Sequence, residues 1–201
     1  MKTQKIVLAA IIIATILTQS CTKEYSRIDG IGPISTETLM LQDFSGIDMD
    51  GADEVIISFG TEQKVEVTGH PNIINRIKTD VTNGIWYMEL EHGNYGLYEL
   101  TYYITLPTIE KISNTGSANV TIVDPMVQNY MEVILNGSGS LFGFPLQAES
   151  CQVDITGSGN CEITANQHLD VSIDGSGSVF YKGNPTIMED ISGSGRVTDA
   201  N

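Results

Sequence analysis

The stretch LDVSIDGSGSV, residues 169–179, decides the fold. Leu169, Val171 and Ile173 alternate with Asp170, Ser172 and Asp174; Gly175-Ser-Gly177 interrupts, and Val179 resumes. Apolar residues at period two mark a β-strand with one buried face. Glycine reaches backbone angles closed to other residues, so the strand changes direction at the interruption. The phrase recurs at Gly116-Ser-Ala118, Gly137-Ser-Gly139, Gly157-Ser-Gly159 and Gly193-Ser-Gly195, with the first glycines 21, 20, 18 and 18 residues apart.

Aligning the repeats on that glycine gives apolar columns. Six residues before it stand Met131, Cys151, Leu169 and Ile187; four before, Ile112, Val133, Val153, Val171 and then Glu189. Two before stand Asn114, Leu135, Ile155, Ile173 and Ile191; four after, Val120, Leu141, Cys161, Val179 and Val197. Such columns predict an all-β fold, a parallel β-helix-like solenoid of about five coils stacked at about 4.8 Å. A single coil buries too few side chains to stand alone, so the stack is the stable unit. Nine of the 20 glycines lie in these tripeptides and read as corners rather than as marks of flexibility.

Residues 38–110 have a different texture and are read as an irregular β part preceding the regular coils of 111–201. Val55–Ile57, Lys64–Val67, Ile85–Leu90 and Leu100–Leu106 read as strands. Asn72 to Thr79, following Pro71, carries Ile73, Ile74 and Ile77 at helical spacing and predicts one short helix.

The first residues read as an address. Lys2 and Lys5 precede a run of apolar or small residues from Ile6 to Leu17. As a helix that run rises about 18 Å, against about 30 Å for a hydrocarbon core, so a signal peptide over 1–20 is favoured over a membrane span. Leu17-Thr-Gln-Ser-Cys21 resembles a bacterial lipobox, though Thr18 stands where leucine is preferred. Cys21 is therefore the expected lipidation site, bearing acyl chains such as palmitate. Residues 21–37 show no periodicity and contain Gly30, Gly32 and Pro33, which predicts a flexible tether.

The chain has 10 basic and 25 acidic residues, net -15; without residues 1–20 it has 8 and 25, net -17. This argues against nucleic acid as a partner. It also keeps the polypeptide off an anionic lipid surface, so the expected membrane contact is the lipid anchor.

Phe44-Ser-Gly-Ile47, Val55-Ile-Ile-Ser-Phe-Gly60, Val65-Glu-Val67, Asn83-Gly84 and Leu106-Pro-Thr-Ile-Glu-Lys-Ile112, followed by the Gly-Ser-Gly coils, resemble the auto-transporter adhesin family named for its head GIN domain. The resemblance spans roughly residues 38 to 200. It implies a right-handed β-helix-like fold on an exported, often lipidated protein, and transfers no catalytic residue.

The side chains offer little legible chemistry. His70, His92 and His168 have no metal-site spacing and read as solvated loop residues. Cys151 and Cys161 fall in different apolar columns and read as buried free thiols rather than a disulfide. No nucleotide loop forms, because Phe142, Glu162 and Phe180 occupy the last glycine place of G-x-G-x-x-G. No cofactor or metal is expected. Asp154, Asp174 and Asp190 share an outward parity and read as a solvated acidic face; weak Ca²⁺ binding is the alternative.

Aromatic residues concentrate between Trp86 and Tyr103. Trp86, Tyr95, Tyr98, Tyr102 and Tyr103 are candidate contacts for a glycan or a host or envelope protein. The competing reading is that they close one end or side of the core. The expectation is a non-catalytic envelope lipoprotein, an adhesin or binding module of the outer membrane on its surface or periplasmic face. A polysaccharide-active β-helix enzyme using Asp154 or Asp174, and a self-associating structural protein with open strand edges after the last coil, are the alternatives.

Overall fold

In the computed structural model, which describes residues 26–201, the glycine corners stand directly above one another. Gly51, Gly116, Gly137, Gly157, Gly175 and Gly193 form one column of parallel-strand partners. Each has a positive φ, between 118° and 156°. The carbonyl of Gly137 accepts N–H groups from both Ser158 (2.8 Å) and Gly159 (3.2 Å), and the same double contact repeats from Gly51 to Gly175. A Cβ on Gly157 would collide with the Gly137 carbonyl oxygen. Glycine is thus required twice over, by its dihedral and by the approach of the neighbouring corner.

Strands leave the corner column on both sides. On the approach side, β3 (Gly46–Gly51), β10 (Lys111–Gly116), β12 (Met126–Gly137), β13 (Ser140–Gly157), β14 (Asn160–Gly175) and β16 (Thr186–Gly193) pair in parallel. On the departing side, β4 (Glu54–Phe59), β11 (Asn119–Ile122), the starts of β13 and β14, β15 (Ser178–Lys182) and β17 (Arg196–Asp199) do the same. These strands belong to one curled 15-stranded sheet. The predicted columns face inward: Ile47, Ile112, Val133, Val153 and Val171 from one side meet Val55, Val120, Leu141, Cys161 and Val179 from the other, all buried. Cys151 and Cys161 are buried free thiols, and burial pushes the Cys151 thiol up to about 12 and that of Cys161 higher still.

Four expectations change. The repeat reaches into the part read as irregular, because Gly51-Ala-Asp53 is a sixth corner. The rungs also depart from chain order: β7 (Ile85–Met88) pairs with β3, and β9 (Thr101–Leu106) pairs with β4, so a later segment lies below an earlier one. Antiparallel strands flank this end, β2 (Ser35–Leu39) on β5 (Lys64–Gly69), β5 on β9, and β6 (Val81–Thr82) on β7. The predicted helix shrinks to α1, Pro71–Ile74. Ile73, Ile74 and Ile77 are buried, but Arg76 and Ile77 make i→i+3 bonds, and Lys78 then pairs with the backbone of Glu89, ending the helix. Finally, the described part of the proposed tether, residues 26–37, is strapped to the body. β1 (Arg27–Ile28) pairs in parallel with β8 (Asn94–Tyr95), Asn72 bonds Asp29 and Ile31, and β2 begins at Ser35. The signal peptide and Cys21 lie outside the described residues.

Gly157→Ala should cost about 2 kcal/mol or more, since it adds a strained φ to a backbone clash, whereas exposed Ser158→Ala should cost less than about 0.5 kcal/mol. Denaturant midpoints measure both. Thiol titration should find Cys151 and Cys161 unreactive in the native protein and both reactive after denaturation; two missing thiols would show a disulfide instead.

Candidate functional site

The rung formed by β7 and β9 lacks a glycine corner. Residues 89–100 make the connection as a long loop, and a cleft of about 370 Å³ opens between this loop and the corner Gly51-Ala-Asp53. Asp50, Asp53, His92, Tyr95, Tyr98 and Tyr102 contribute to its walls. A second hollow of about 350 Å³ shares Asp53 and Tyr98 and continues past Leu97 and Leu100. Later corners carry glycine or alanine at the third position; a Cβ on Gly139, Gly159, Gly177 or Gly195 would strike the carbonyl of the corner beneath. Asp53 stands at that position because the loop, rather than another tight corner, lies below it.

The candidate aromatics separate into three groups. Trp86 is fully buried; its ring centroid lies 5.8 Å from Tyr102 and 5.6 Å from Phe44, and its indole N–H donates to the Lys78 carbonyl. Trp86 therefore closes the end of the core and offers no surface. Tyr102 is 1% exposed, yet it lines the cleft. Tyr95 and Tyr98 meet edge to face at 5.8 Å, and the Tyr95 hydroxyl donates to the Glu91 carbonyl. Tyr103 lies on the opposite face of β9, 43% exposed, and pairs across rungs with Ile56 and Glu66. The tyrosines thus serve two separate surfaces.

Electrostatics single out Asp53. Burial raises its carboxyl to about 6, and its charge helps push the Tyr98 and Tyr102 phenols up after their own burial. Glu89 and Glu91 face cations, Lys78 at 2.8 Å and Arg76 at 3.4 Å. Asp53 escaped the sequence reading, although Ile47, Met49 and Val55 flank Gly51 at the repeat offsets. The 65-residue gap to the next corner, and Ala52-Asp53 in place of Ser-Gly, hid it.

The acidic face is more dispersed than its parity suggests. Asp154 and Asp190 share a column but Ser172 separates them, while Asp174 stands in the next column. Among the described residues no three His, Cys, Asp or Glu side chains converge as a metal site.

A carboxyl raised on folding favours the native state below its unfolded value of 3.8, and that advantage is lost as pH rises through about 6. Asp53→Asn should therefore be more stable than the parent by about 1–3 kcal/mol at pH 7.5, with the difference vanishing toward pH 4. Thermal melts across this pH range check it.

The family model described as "Putative auto-transporter adhesin, head GIN domain" matches residues 43–141 and 127–185. A crystal structure of a "putative adhesin" from Bacteroides fragilis NCTC 9343 aligns with a TM-score of 0.57 at 18% identity, over 86% of this chain and 99% of that one. Another, from Parabacteroides merdae ATCC 43184, aligns with a TM-score of 0.50 at 15% identity, over 88% and 100%. At such identity the likeness is one of fold. No curated protein matches the sequence. Together, the matched segments cover most of the chain, which belongs to the family described as "Putative auto-transporter adhesin, head GIN domain".

Proposed function

We propose that this protein is a non-catalytic binding module of the bacterial cell envelope, an adhesin exported by residues 1–20 and held in the outer membrane by acyl chains on Cys21. In this reading the stacked corners are a right-handed parallel β-helix that acts as a rigid stalk, and the loop 89–100 carries recognition. The replacement of a three-residue corner by that loop is the observation that carries the proposal. It places a concave, aromatic and acidic surface at one end of a stack whose other corners are nearly featureless. Loops on rigid scaffolds are where binding residues concentrate. The ligand is a glycan or a host or envelope protein.

One observation favours a second reading, a polysaccharide-active enzyme. A carboxyl raised to about 6 in a cleft suits a general acid, and that group is Asp53 rather than Asp154 or Asp174. Turnover on a glycan panel that Asp53→Asn abolishes would establish it.

Wild-type protein should fractionate with the outer membrane and incorporate labelled palmitate, and Cys21→Ser should lose the label. The chain from residue 22 should bind at least one component of a glycan and matrix-protein array. Complete protection from protease on intact cells would place it on the periplasmic side, and an empty array would remove the adhesin reading.

A further inference from the structure

Two of the cleft's four carboxylates are already answered within the protein. Lys78 meets Glu89 and Arg76 meets Glu91. Exposed Asp50 and half-buried Asp53 line the same space with no ion pair among the described residues, and Asp53 loses hydration there with no side-chain hydrogen bond among those residues. Tyr102 is 1% exposed and lines the cleft, and among the described residues no hydrogen bond occupies its hydroxyl, which reaches the cleft's solvent. Asp50 is exposed and Asp53 half-buried, so the cleft offers a ligand a carboxylate and a hydroxyl that meet solvent rather than a protein partner. Among the described residues the carboxylates do not converge as metal ligands, and the aromatic walls suit an organic cation better than a bare ion. A neutral sugar would leave the partly desolvated Asp53 charge uncompensated, and an anion would be repelled.

The surroundings indicate what carries the cation. Beyond Asp53 the second hollow runs to Leu97, which is 89% exposed, and a further hollow joins Leu97 and Tyr98 to exposed Ile34. An acidic pocket with an apolar ledge matches a polypeptide in which a basic residue adjoins an apolar one.

We infer that the cleft captures an arginine or lysine side chain of a protein partner, its charge against Asp53 and Asp50, its stem along the Tyr98 ring, and its apolar neighbour on Leu97. The assignment rests on the reading of the protein as a binding module and names the partner class. Tyr95 is held by its bond to Glu91 and Tyr98 by its edge contact with Tyr95, so the walls are arranged before binding. The Tyr102 hydroxyl then accepts a hydrogen bond from the incoming N–H.

The test titrates the full chain with the peptide acetyl-Leu-Arg-Leu-amide and with its citrulline counterpart, which keeps the shape and removes the charge. Calorimetry and tyrosine ring resonances read the binding. Saturable one-to-one binding is expected for the arginine peptide, weakened about tenfold or more by citrulline, by Asp53→Asn and by Tyr98→Ala. Asp170→Asn, on the outward acidic face, should bind like wild type. Asp53→Asn retains or gains thermal stability at neutral pH, so its loss of binding cannot come from misfolding. Equal binding by wild type and Asp53→Asn would reveal only diffuse attraction to an anionic chain and overturn the inference. Failure of the arginine peptide while a glycan or matrix protein still binds would overturn the cation assignment alone; failure of every probe would overturn the binding module as well.

Discussion

The structure depends on one contact, the carbonyl of a corner glycine accepting two N–H groups from the corner above it. It locks each rung to the next at the point where the chain reverses, so in-register side chains stack without slippage. A β-carbon at the stacked corners would occupy the space of that carbonyl. The glycines cost backbone entropy, and the stack recovers it by burying continuous apolar columns from Trp86 and Tyr102 at one end to Val171 and Val179 near the other.

Where the contact is absent, the protein gains a surface. The β7–β9 rung enters the stack from below and out of chain order, and its connection has no corner to dock against. The freed space accommodates the Asp53 side chain, where the later corners carry only alanine or glycine. The aromatic loop covers it, and the resulting desolvation holds its carboxyl near 6. Fold and candidate site are therefore two outcomes of one steric rule, obeyed at five corner-to-corner contacts and suspended below the lowest corner.

Charge placement manages the rest of the surface. On the outward column Asp48, Ser113, Ile134, Asp154, Ser172 and Asp190 succeed one another, so no two acids occupy adjacent rungs. Like charges directly opposite would destabilise the ladder. At the far end β16 and β17 are each paired on one side only among the described residues, and exposed Glu189 stands in the column held by valine in the three rungs below. An inward-pointing charge on an edge strand disfavours the addition of another strand.

Period-two alternation and the spacing of Gly-Ser-Gly determined by themselves that the chain is all-β, which residues face inward, and which strands register, because these follow from local geometry repeated at a fixed interval. Leu169, Val171 and Ile173 needed no coordinates to be assigned to the core. Local pattern could not show that residues 85–106 insert beneath residues 46–59, since nothing in either segment encodes the order of stacking. Nor could it distinguish buried Trp86 from exposed Tyr103, both of which read as aromatic residues on strands. Asp53 became a candidate only through tertiary structure, because its burial and its proximity to Tyr98 and Tyr102 arise from a loop more than thirty residues away in the chain. Secondary structure and facing are set by neighbours in sequence; the cleft is set by which rung lies beneath which, and that is decided by packing of the whole core.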